Sequence, residues 1–227
     1  MPSKGTLIAD GSYTLHRGNT NTGTESWRLE KLAHGGLFFS SNAELARPKA
    51  LKWNFTFEIN QHWAPVRFTI HLDTEGKSIA SEQHGDGALW RARVTAQGET
   101  PKDPSIAFSP KHEVYFPSPL FNAATLIRLN LPVGKSSDIE TVVLNLLSLE
   151  PRAAKQNYAC TAEEKVEVPA GNFSAWRYTL RTIREDGGAP TENNFWADRN
   201  GIVLRYTSAS GDETTLARYR RIERREK

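Results

Sequence analysis

Alternation with a period of two residues dominates the chain. Between Leu7 and Leu15 the apolar residues Leu7, Ala9, Tyr13 and Leu15 take the odd positions, and Asp10, Ser12, Thr14 and His16 point the other way. This is the pattern of a strand with one buried and one wet face. The run from Glu25 to Leu32 repeats it with Trp27 and Leu29, and Gly35-Gly36 marks a hairpin before a third strand over 37–45. The clearest strand is Leu51 to Ile59, where Leu51, Trp53, Phe55, Phe57 and Ile59 alternate with Lys52, Asn54, Thr56 and Glu58. Val66, Phe68, Ile70 and Leu72 follow after a turn at Asn60-Gln61-His62, and shorter strands are expected near 78–83 and 88–96. Each connection is too short for a crossover helix, so the first half reads as a meander of adjacent antiparallel strands.

The pattern breaks at residues 100–119, where Pro101, Pro104, Pro110, Pro117 and Pro119 point to a long loop. A helix is then expected over 120–131. Leu120, Ala123, Ala124, Ile127 and Leu131 share one face, only Arg128 is charged, and Pro132 and Gly134 end it. So apolar a helix needs protein around most of its circumference. Strands resume over 139–149, 158–168, 173–183, 193–197, 202–207 and 214–222, with turns at Pro169-Ala170-Gly171, Asp186-Gly187-Gly188 and Asp198-Arg199-Asn200-Gly201. Strands, one isolated helix and more strands predict a mainly β, single-domain protein over 1–227, its antiparallel sheet folded over the helix.

Length supports that reading. A chain of 227 residues buries roughly 70% of the surface its unfolded form exposes, so its core needs no disulfide or metal. The lone Cys160 cannot form an internal bridge. Residues 1–20 contain no apolar run, so they read as neither signal peptide nor membrane anchor. The expected compartment is the cytoplasm for the chain as given, or the periplasm if a leader has been removed. The net charge is +3, and much of the excess lies in Arg218, Arg220, Arg221, Arg224, Arg225 and Lys227. A solvated tail or a charged edge strand explains that cluster better than a nucleic-acid site.

The second half carries short motifs in a recognisable order. Phe116-Pro117-Ser118-Pro119-Leu120-Phe121 and Thr125-Leu126-Ile127-Arg128 frame the helix, and Val168-Pro169-Ala170-Gly171-Asn172-Phe173 heads a strand. Asn194-Phe195-Trp196-Ala197-Asp198 and Gly201-Ile202-Val203-Leu204-Arg205-Tyr206 form a hairpin. Over residues 114–222 this order resembles the bacterial family called domain of unknown function 3108, which itself looks like the lipoprotein-carrier half-barrels. The resemblance implies a curved antiparallel sheet with its helix against the concave side and a setting in the cell envelope. It supplies no catalytic residue.

Candidate chemistry is sparse. None of the six histidines sits in a zinc-binding spacing, although Glu82, His84 and Asp86 alternate across a Gly-rich turn; no metal or cofactor is expected. There is neither a nucleophile elbow nor a phosphate loop. The six tryptophans are more informative, because a large apolar ring with a polar edge suits the lining of a pocket. The expected function is binding of a lipid-like or other apolar small molecule on the concave face. The expected site comprises Trp53, Phe55, Phe57, Phe68, Trp90, Arg91, Tyr115, Leu120, Ile127, Trp176, Arg177 and Trp196, with Arg91, Arg93 and Arg177 as candidates for an anionic headgroup. The alternative is a cyclase, isomerase or hydrolase using the same cavity, with Asp73, His71, Glu82, His84, Glu113 and Tyr115 as the first groups to mutate.

Overall fold

The structure is a computed structural model and describes residues 5–46, 50–184 and 189–222. The turn expected at Asp186-Gly187-Gly188 and the C-terminal Arg224, Arg225 and Lys227 lie outside the described residues. The first meander comprises β1 (Thr6–Arg17), β2 (Thr20–Lys31), β3 (Leu37–Leu45), β4 (Leu51–Ile59), β5 (Pro65–Thr74), β6 (Lys77–Gly85), β7 (Leu89–Ala96) and β8 (Ser105–Ala107). The second comprises β9 (Glu113–Tyr115), helix α1 (Pro119–Leu129), β10 (Ser136–Leu144), β11 (Pro151–Val168), β12 (Gly171–Arg184), β13 (Thr191–Ala197), β14 (Val203–Thr207) and β15 (Asp212–Arg221).

All fifteen strands belong to one sheet, ordered β8 through β1, then β15 down to β9. Pairing of β1 with β15 brings the two ends of the chain together at the centre and leaves the middle of the chain at the two edges. The C-terminal arginines on β15 therefore do not stand on an edge strand, as their charge had suggested: β15 is bonded to β1 on one side and β14 on the other. Every pairing is antiparallel except β9 with β10, whose parallel register needs the crossover that α1 supplies.

Two differences from the sequence pattern have local causes. The proline-rich segment holds the short strands β8 and β9, because three residues suffice to pair an edge where no proline N–H is required. The apolar run Leu144 to Leu149 does not continue a strand. Asn145 Oδ1 accepts hydrogen bonds from the N–H groups of Leu147 and Ser148, an Asx turn that reverses the chain. Leu149 adopts φ 57 there and is fully buried, held by Gln83 Nε2, which donates to its carbonyl at 3.0 Å.

That bond, with the Lys102–Glu150 pair at 2.9 Å, ties the β6–β8 side of the sheet to the β10–β11 turn, so the sheet curls into an open half-barrel. Helix α1 lies in the hollow. Ser118 is its N-cap, accepting from Leu120 N–H at 3.3 Å, and Asn130 closes it in a left-handed conformation. Eight consecutive residues, Pro119 to Leu126, are buried. Phe121 stacks on Phe57 at 4.6 Å and meets Phe55, Phe68 and Phe116 at 5.3–6.0 Å. Each ring adds about 1.5–3 kcal/mol by leaving water.

Candidate functional site

Aromatic rings fill the middle of the half-barrel around Phe121, and a hollow lies at each end of α1. Two further depressions, of about 850 and 810 Å³, take no lining residue from the helix: one lies over β1, β2 and β15 near Asp10, Trp27 and Arg218, the other against β10 and β11 near Thr141 and Arg152. At the C-terminal end a cleft of about 700 Å³ opens between the helix and one end of the strands. Leu126, Ile127, Leu131 and Pro132 form one wall, Ile8, Leu29 and Leu37 the opposite wall, and Trp176, Tyr178 and Tyr219 a third. Lys31, Arg199, Arg221 and the indole of Trp63 stand at the mouth. At the N-terminal end a hollow of about 570 Å³ is lined by the opposite ends of the same strands, including Leu15, Thr22, Leu45 and Thr214, together with Trp53, Pro117, Leu146 and Leu147.

Local chemistry fixes the walls of the larger cleft. In the β13–β14 turn, Asp198 Oδ1 accepts from the N–H groups of Asn200 and Ile202, both at 2.9 Å. Gly201 has φ 76, and a Cβ added there would lie 2.6 Å from Ile127 Cγ1, so glycine is required where the turn meets the helix. Trp63 adopts φ 65 in the β4–β5 turn, where Asn60 Oδ1 accepts from His62 and Ala64 N–H. A left-handed tryptophan costs on the order of 1 kcal/mol, yet its ring is exposed at the mouth.

Below the smaller hollow lies a polar layer. Glu25 is fully buried, and its Oε1 accepts from Ser41 Oγ at 2.5 Å and Ser118 Oγ at 2.6 Å. Burial raises its pKa to about 7, against the opposing hydrogen bonds from Ser118 and Ser41. Glu25 Oε2, the Tyr13 hydroxyl and the Nε1 atoms of Trp27 and Trp53 have no hydrogen-bond partner among the described residues.

The structure distributes the expected site residues among four settings. Phe55, Phe57, Phe68 and Leu120 are core, packed on one another or on Phe121 rather than lining free space. Trp90 is core as well, donating to Gln83 Oε1 at 2.7 Å. Tyr115 packs against the second core cluster beside Tyr158 and Phe195. Trp53 borders the smaller hollow, and Ile127 and Trp176 line the larger cleft. Arg91, Arg177 and Trp196 do not face the concave side. Alternation turns Trp90 and Phe195 inward and these neighbours outward. Arg91 pairs with Asp86 at 2.7 Å, and Trp196 lies between Arg177 and Arg205 at 5.5 and 5.2 Å.

The groups offered for catalysis are scattered too. His71, Asp73, Glu82 and His84 are exposed on the outer face. Asp86 caps its turn, and its carboxyl is lowered to about 2 by the Leu89 N–H, then by Arg91 and the Ala88 N–H. Glu113 is buried, ion-paired to Arg128 at 2.5 Å and bonded by Thr125 Oγ1 at 3.1 Å. Among the described residues no group of three His, Cys, Asp or Glu could hold a metal ion. Nor is any helix long and apolar enough to cross a membrane.

Pattern reading missed Lys31, Trp63, Arg199, Tyr219 and Arg221. They lie at strand ends and turns that meet only because β1 pairs with β15. Trp63 left one signal, an aromatic residue inside a turn of otherwise polar composition.

The architecture has relatives among solved structures. A beta-barrel-like protein of domain of unknown function 1849 from Brucella abortus superposes with a TM-score of 0.66 at 13% identity, covering 97% of this chain and 100% of the other. A protein of the domain of unknown function 1089 family from Pseudomonas aeruginosa gives 0.50 at 16% identity, covering 79% of this chain and 87% of the other. At such identities the likeness is one of fold. No curated protein matches the sequence. A family model does, over residues 15–211, and the chain belongs to that family, described as "Putative glycolipid-binding".

Proposed function

We propose that the chain binds a lipid-like amphiphile in the cleft at the C-terminal end of α1. The observation that carries this reading is the division of that cleft into an apolar interior and a basic, hydrogen-bonding mouth. Leu126, Ile127, Leu131, Ile8 and Leu29 offer a surface for acyl chain, and about 700 Å³ is a volume typical of small-molecule sites. Lys31, Asn130, Arg199 and Arg221 offer donors to hydroxyl or phosphate oxygens at the rim. A glycosylated lipid, the ligand named in the family description, presents both halves.

The test is extraction. Organic extract of the purified, denatured protein should contain a lipid in near-stoichiometric amount by mass spectrometry, and Ile127→Trp, which fills the cleft, should lower that occupancy at least about tenfold. An extract free of lipid, together with tryptophan fluorescence that no fatty acid or glycolipid quenches, rules the reading out.

A further inference from the structure

The two mouths of the half-barrel differ in charge and in exposed apolar surface. At the C-terminal end of α1, Lys31, Arg199 and Arg221 are exposed, and none of them meets a carboxylate of a described residue within ion-pair distance. The acidic group there, Asp198, is buried and occupied by its own turn. Among the described residues five large apolar side chains are exposed, and two of them line this mouth, Trp63 at 37% and Ile222 at 41%. The mouth at the N-terminal end has Leu147 exposed but carries Glu75, Asp212 and Glu213 against His16 and Arg17. Arg17 is already bonded to Asp212 at 2.6 Å.

We infer that the C-terminal mouth docks on a bilayer containing anionic lipid, Trp63 and Ile222 entering the interface while Lys31, Arg199 and Arg221 face the headgroups. Tryptophan is the side chain best suited to the boundary between headgroup and acyl chain. Its left-handed backbone is a cost that folding does not need, because glycine or asparagine would hold the same turn without it. Basic groups without a carboxylate partner beside it supply attraction to an anionic surface, whereas at the opposite mouth Arg17 and Arg205 are already paired with Asp212 and Glu213. Such docking would set the cleft opening against the membrane, which extends the lipid-binding reading, but it is measured independently of any bound lipid.

The full chain should co-sediment with vesicles of phosphatidylcholine containing one third phosphatidylglycerol, bind pure phosphatidylcholine about tenfold less, and be released by salt. Trp63→Asn should lower partition about tenfold with a melting temperature equal to or above that of the parent. Lys31→Glu with Arg199→Glu should lower it further, and Leu147→Ser at the opposite mouth should leave it unchanged. The inference fails if Trp63→Asn partitions like the parent, or if Leu147→Ser loses as much. It also fails if light scattering shows a dimer that Trp63→Asn dissociates, which would make a second copy the occupant. Loss of lipid from the extract with vesicle binding intact would overturn the ligand reading alone.

Discussion

The two ends of helix α1 solve opposite problems with the same strands. Along the N-terminal half, Trp53, Phe55, Phe57, Phe68, Phe116 and Phe121 interlock, and the hollow left beyond them is the smaller, about 570 Å³. Toward the C-terminal end, Ile127 and Leu131 line a cleft of about 700 Å³. The difference lies in how the chain continues. Ser118 fastens the N-terminal end to β2 and β3 through Glu25 and Ser41, whereas Asn130 turns the C-terminal end out toward Pro132. A half-barrel can thus draw stability from one end of its helix and leave the other more open.

Breaking the packed end should have the largest effect. Phe121→Ala removes the ring shared by Phe55, Phe57, Phe68 and Phe116, and urea unfolding should show a loss of about 3–5 kcal/mol. A loss below about 1 kcal/mol would mean that the packed end is not the source of stability.

The next effect depends on pH. Glu25 has its carboxyl raised to about 7 by burial, so the folded state holds a proton that the unfolded chain releases near its ordinary value of 4.5. Stability is greatest below that value, falls as pH rises toward 7 and stays low above it. Glu25→Gln should therefore gain roughly 2–3 kcal/mol over the parent at pH 8 and almost nothing at pH 4.5. Equal gains at both pH values would contradict this origin. At the open end the expected change in stability is smaller. Trp63→Asn relieves a left-handed backbone and should gain at most about 1 kcal/mol in thermal unfolding; a clear loss would assign the indole to packing. The smallest effect belongs to the outer face, where Arg177→Ala removes one side of the Trp196 stack and should cost under about 1 kcal/mol, with lipid occupancy unchanged.

Much of the fold was legible because period-two alternation is a local property. The strands Leu37–Leu45 and Leu51–Ile59 have the bounds the pattern predicts, and the helix differs from 120–131 by one residue at its start and two at its end. The Leu144 to Leu149 run misled because an Asx turn depends on one side-chain oxygen finding two amide groups, which hydrophobicity does not report. The site was less legible. Alternation told which side chains share a face, so Trp53, Phe55, Phe57 and Phe68 were grouped correctly, but it could not tell a filled face from a hollow one. For β7, β12 and β13 it left the inward side unassigned: Arg91 and Arg177 are exposed, and Trp196 stacks between Arg177 and Arg205.

What the sequence determined alone was strands, one short apolar helix, the turns between them and the absence of any local catalytic motif, since all of these rest on contacts among near neighbours. What tertiary structure decided was the β1–β15 pairing that joins residues some two hundred positions apart, and with it the meeting of Lys31, Trp63, Arg199 and Arg221 around one opening. Whether apolar side chains fill a space or border it depends on the distance between elements that curvature brings together, and no local pattern carries that distance.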